Sequence, residues 1–118
     1  MKTTGPLQEK SYRYALDVVL FCKRLMEEKR EFVLSKQLLK SGTSVGANIE
    51  EAQQAQSRSD FVSKLSITLK EGYESRFWLR LIHDAGYDDL RQISALTVQV
   101  DAIISMLVRS IKTAKDRS

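Results

Sequence analysis

His83, the single histidine of this 118-residue chain, stands seven positions after Arg76. That spacing is about two helical turns, so a helix would carry both side chains on one side. There a histidine can move a proton while an arginine stabilises charge developing on a phosphate. The plainer reading, preferred here, makes His83 a helix-end residue near the negative end of the dipole. Glu50, Glu51, Glu71 and Glu74 would be the donors of any carboxylate-bridged metal site between two helices. Such sites add an E-x-x-H element that His83 is not spaced to supply, so solvated or structurally paired carboxylates are expected instead. One cysteine, Cys22, and no glycine-rich loop after a strand exclude zinc sites and nucleotide loops. No catalytic residue, metal or cofactor is expected.

Charge offers a better lead. Nineteen Lys and Arg against 15 Asp and Glu give a net charge of +4, and the pI is near 9.3. Lys10, Arg13, Lys23 and Arg24 load the first helical segment, and Arg109, Lys112 and Lys115 load the last. These seven are the candidate nucleic-acid-binding residues, weighed against a merely solvated basic face and a helix C-terminus that favours cations anyway. Cys22 lies in the apolar run VVLFC, which reads as a buried, inert thiol in a reducing cytoplasm. The start, MKTTGPLQEK, lacks the apolar stretch of a secretory signal, and no window approaches the ~18 uninterrupted apolar residues of a membrane span. A cytoplasmic protein without a membrane partner is expected.

The elements that position these groups are helical. Apolar residues recur at helical spacing, with 42% hydrophobic and 29% charged residues and a single proline. Four helices are expected over about 7–29, 35–56, 60–85 and 89–115. Ser35, Ser57 or Ser59, and Asp88 or Asp89 are the expected N-caps, and Gly86 the stop of the third helix. The first helix is expected to turn Tyr12, Ala15, Leu16, Val19, Cys22, Leu25 and Met26 inward, leaving Val18 and Phe21 off that row. Comparable lengths and short connections make a single domain of class all-α, an antiparallel up-down-up-down four-helix bundle.

The segment SGTSVGANIEEAQQA presents a thin face of Gly42, Gly46, Ala47 and Ala52. Close packing against the third helix at Gly72 is expected, with a polar seam of Asn48, Glu51, Glu74 and Arg76. Late in the third helix, Phe77, Trp78, Leu81 and Ile82 point away from the expected core row. Phe77, Trp78 and Leu81 are the candidate oligomer interface, since large aromatics off a core row anchor subunit contacts. The competing reading places Trp78 in a cleft of its own bundle.

The run GTSVGANIEEAQQAQSRSDFVSKLSITLKEGYESRFWLRLI resembles the bacterial four-helix-bundle proteins called 23S rRNA intervening-sequence proteins. Asn48 and Glu51 match that family's N-I-x-E element, and Phe61, Lys64, Leu65, Glu74, Trp78 and Leu79 match its helix 3 pattern. Gly46 departs from it, because many members carry proline there. The resemblance implies a left-handed bundle assembled into a ring-shaped homopentamer. A related branch, the accessory variability proteins of diversity-generating retroelements, is pentameric and basic and binds nucleic acid together with a reverse transcriptase. A basic subunit repeated around such a ring makes the expected function a non-enzymatic homo-oligomeric scaffold binding RNA or a ribonucleoprotein, with a nucleic-acid-processing protein as a further expected partner. Two alternatives stand beside it. One is a ribonuclease, since Arg76 and His83 are similar to the R-x4-6-H pair of HEPN ribonucleases, although Phe77 follows the arginine where that family has a small polar residue. The other is a protein adaptor without nucleic-acid binding.

Overall fold

The computed structural model of the chain describes residues 5–87 and 90–117, without the side chain of Leu90. Its helices are α1 (Gly5–Glu28), α2 (Val33–Ala52), α3 (Arg58–Asp84) and α4 (Leu90–Asp116). α1 packs on α2, α2 on α3, α3 on α4, and α4 back on α1. Successive helices run antiparallel, giving an all-α up-down-up-down bundle of 48 × 20 × 20 Å. A helix of 27 residues is about 40 Å long, so α3 and α4 each run most of the long axis.

Helix α1 turns a different face inward from the one its sequence suggests. Leu7, Tyr14, Val18, Phe21, Cys22 and Leu25 are fully buried, whereas Tyr12 is 65% exposed and Leu16 and Val19 also reach solvent. The chain offers two apolar rows here, and packing against α2 decides between them. A Cβ at Gly42 would lie 2.9 Å from a Val18 methyl, and one at Gly46 would lie 3.2 Å from the Ser11 carbonyl oxygen. The glycine side of α2 is therefore the seat of α1, not of α3 as the sequence suggested. Gly72 of α3 instead faces Ile104 of α4, at 3.2 Å from its added Cβ.

The other helices keep their expected rows: Leu38, Val45, Ile49 and Ala52 on α2, Phe61, Leu65 and Leu79 on α3, and Ile93, Leu96, Val100, Ile103 and Leu107 on α4. Ile82, expected to point outward, is fully buried. Helix α4 meets the length and mean composition of a membrane-crossing helix over Arg91–Asp116, although polar residues interrupt its apolar runs throughout, as the sequence showed. Its buried row supplies one wall of the bundle core.

The helix ends show how the connections are made. Ser35 does not cap α2; it lies inside the first turn, and Glu31 reaches over that turn instead. The Glu31 carboxylate accepts from the backbone N–H groups of Val33 at 3.1 Å, Leu34 at 3.0 Å and Ser35 at 2.7 Å, and from the Ser35 hydroxyl at 2.9 Å. Three donors that a helix start leaves unpaired are thus satisfied by one side chain. Beneath it, the Cys22 thiol donates to the Ser35 carbonyl at 3.3 Å, and burial, followed by the Glu31 charge, pushes its pKa up to about 12. Ser57 caps α3 by accepting from the Asp60 N–H at 3.0 Å. Gly86 closes α3 with φ +83°, a left-handed conformation that glycine adopts without strain. The expected caps of α4, Asp88 and Asp89, lie outside the described residues.

Candidate functional site

Helix α3 carries Tyr73, Arg76, Phe77, Arg80 and His83 along the side that meets α4. Opposite them α4 places Ile93, Ser94, Thr97 and Val98, and the small polar pair leaves a groove of about 600 Å³. Arg76 donates to Asp101 of α4 at 2.7 Å, with its guanidinium 5.2 Å from the centre of the Tyr73 ring. His83 Nδ1 lies 3.1 Å from an Asp84 carboxylate oxygen. Arg80 is exposed at the rim. The groove thus joins aromatic and aliphatic walls with cationic groups, and suits a ligand that is partly apolar and partly anionic. Arg76 and His83 do share it, as a pair acting on phosphate would need. Arg76 already has its counter-charge in Asp101.

Phe77 and Leu81 are outward, Phe77 with 47% exposure. Trp78 is not: it is half-buried against the core, edge-on to Phe77 with ring centres 5.1 Å apart. Its indole N–H is enclosed and, among the described residues, has no acceptor. Among the described residues no contact joins the expected polar seam between α2 and α3. Asn48 is half-buried, Glu51 and Glu74 are exposed, and Arg76 turns to α4. The polar contact at the centre of the bundle runs diagonally instead, between the Tyr14 hydroxyl of α1 and the Ser75 hydroxyl of α3. Burial holds the Tyr14 phenol well above its ordinary pKa. A tyrosine on an apolar row was the signal for it, because a buried phenol needs a partner. On α3, burial and then the neighbouring charge of Glu74 raise the Glu71 carboxyl, with Lys40 opposing. Among the described residues no three acidic, histidine or cysteine side chains cluster as metal ligands do.

The register of α1 on α4 decides which basic residues meet. Gln99 donates to Asp17 at 3.1 Å and Arg24 to Gln92 at 2.5 Å, so the start of α1 lies beside the end of α4. Lys10 and Arg13 line a shallow depression of about 280 Å³ with Asp17, Gln99 and Ala102. Exposed Arg109, Lys112 and Lys115 continue along α4 toward the same end. Arg13 is in part neutralised by Asp17 at 3.4 Å. Lys23 and Arg24 sit about 20 Å further along α1 at 1.5 Å per residue. Arg24 is engaged by Gln92 and by the Phe21 ring at 5.4 Å. The seven cations therefore form an end group of five and a separate pair.

The feature missed in the sequence is the outward face of α1. Tyr12, Leu16, Val19 and Leu20 are exposed, Leu20 to 54%. Tyr12, Leu16 and Val19 belong to the row the sequence places inside, and Leu20 stands beside them.

Residues 6–109 match the family model described as 23S rRNA-intervening sequence protein. A solved structure from Bacteroides thetaiotaomicron, described as a protein with unknown function from the S23 ribosomal protein family, is 44% identical with a TM-score of 0.88. The match covers 90% of this chain and 98% of that one. A comparison with curated proteins finds no match.

Proposed function

Since the chain belongs to the 23S rRNA-intervening sequence protein family, we propose that it is a non-enzymatic, homo-oligomeric scaffold, a pentameric ring, that binds RNA or a ribonucleoprotein in the cytoplasm. The observation that carries the RNA reading is the α1–α4 register, which sets Lys10 and Arg13 beside α4 near the end of the bundle toward which Arg109, Lys112 and Lys115 continue. Repetition around a symmetry axis multiplies such an end group into a continuous positive surface. Each phosphate it neutralises releases counterions, so affinity falls as salt rises, with a logarithmic slope of about −0.7 per contact for single strands. A nucleic-acid-processing protein that shares the same RNA is the corresponding protein partner.

Fluorescence anisotropy with labelled RNA at several salt concentrations tests this. Lys10→Glu combined with Arg109→Glu should weaken binding and flatten the salt slope by about 1.4, two contacts' worth. Weak binding that ignores the double charge reversal would sink the reading. The ribonuclease alternative draws on Arg76 and His83 sharing the α3–α4 groove. Against it, Arg76 is held by Asp101 at 2.7 Å. RNA cleavage that disappears in His83→Ala would bring it forward.

A further inference from the structure

Helix α1 turns away from the bundle a row of side chains that nothing in the subunit covers. Tyr12, Leu16, Val19 and Leu20 are its exposed apolar members, Tyr12 to 65% and Leu20 to 54%. Glu9 and Lys23 stand at its two ends and are exposed. Among the described residues neither has an ion-pair partner. Each lies seven positions from Leu16, so the three form a nearly straight line on the helix. A carboxylate thus sits about 10 Å to one side of the leucine and an ammonium about 10 Å to the other.

That arrangement makes the row complementary to itself. We propose that α1 pairs antiparallel with α1 of a second copy, about a two-fold axis at Leu16. Leu16 then meets Leu16 of the second copy, Glu9 of each meets Lys23 of the other, and Tyr12 of each packs beside Val19 of the other. The charges disfavour the alternatives. Parallel pairing would set Glu9 against Glu9 and Lys23 against Lys23. Moving the centre two residues along the helix would set Glu9 against Glu27 and Arg13 against Lys23, and like charges opposed in this way reject a wrong register. Lys23, which would spoil a purely apolar contact, fixes the register of this one. A polyanion is a poor occupant of the row, because Glu9 and Glu27 lie on it. The same patch serves both partners, so the contact joins two units and stops. It does not depend on the ring proposed above: it joins two chains, or two rings back to back where rings form.

Native mass by light scattering, over a series of protein concentrations, tests the pairing. The wild type should have twice the mass of Leu16→Lys, which sets like charges face to face at the axis. Glu9→Lys and Lys23→Glu each make both ionic ends of the contact repulsive, and each should raise the concentration of half-dissociation by about tenfold. An equimolar mixture of these two variants should regain the wild-type value, because each chain then meets the opposite charge on the other. A chain carrying both substitutions should regain it too. All three positions are exposed, and circular dichroism checks that each variant keeps the wild-type helix content; if Leu16→Lys unfolds, Leu16→Ser replaces it with the same readout. A wild type no heavier than the Leu16 variant overturns the proposal. So do single reversals that dissociate like the wild type, or a mixture that dissociates like the singles. The mass of the Leu16 variant reports on the ring separately: a single 13.5 kDa chain overturns the ring and leaves the pair, whereas a ring-sized unit shared with the wild type overturns the pair and leaves the ring.

Discussion

Removing the Glu31 carboxylate should unfold the start of α2 more than any other single surface-ward change, and the structure sets its size. Glu31 is 7% exposed and accepts four hydrogen bonds, three from backbone N–H groups of the first turn and one from the Ser35 hydroxyl. Loss of a helix cap costs about 1 kcal/mol. Leaving the buried Ser35 donors without a partner adds about 1–3 kcal/mol, so Glu31→Ala should cost about 2–4 kcal/mol. For a domain of this size that is roughly 10 °C in Tm. Glu31→Gln keeps one acceptor oxygen and should lose about half as much.

The same contact has a pH signature. Burial pushes the Glu31 carboxyl upward, but the hydrogen bonds from Leu34, Ser35 and Val33 outweigh it and hold the group below the usual carboxylate range. A depressed folded pKa means the stabilisation is complete above the unfolded carboxylate value and is lost as pH falls through the folded one. Urea denaturation followed by circular dichroism, at matched protein concentration and at pH values from 7 into acid, measures both effects. The gap between wild type and Glu31→Ala should be widest at neutral pH and should close in acid. A gap under about 0.5 kcal/mol at pH 7, within the range of ordinary surface substitutions, would refute the reasoning.

Two further substitutions probe the interior. Tyr14→Phe should cost about 1–2 kcal/mol by leaving the Ser75 hydroxyl unpaired, whereas Tyr14→Phe combined with Ser75→Ala should cost less than the two singles added, a non-additivity that a double-mutant cycle by urea titration reads directly. Gly42→Ala should destabilise by about 1–3 kcal/mol in thermal unfolding despite its gain in helix propensity, because the new methyl would stand 2.9 Å from a Val18 methyl in a closed contact.

What the sequence determined alone is the number of helices, their order and most of their inward faces. On α2 and α4 one apolar row is dominant, so period and composition leave a single solution. Family membership was also legible, carried by the run from Gly42 to Ile82. On α1 two rows compete, and helical periodicity cannot rank them. Only the shape of the neighbour does so, since the hollow at Gly42 accepts Val18. The cap of α2 escaped for a related reason: Glu31 works from two to four residues away, through a left-handed Arg30 at φ 55°, and cap rules look for a short side chain at the junction itself. The site depended on tertiary structure most of all. Helical spacing puts Arg76 and His83 on one side of α3, but the groove beside them, and the meeting of Lys10 and Arg13 with α4, exist only because the register between antiparallel helices brings those elements together. Local sequence sets which face of a helix is apolar; which partner covers that face, and which charges meet across the seam, is decided by packing between elements far apart in the chain.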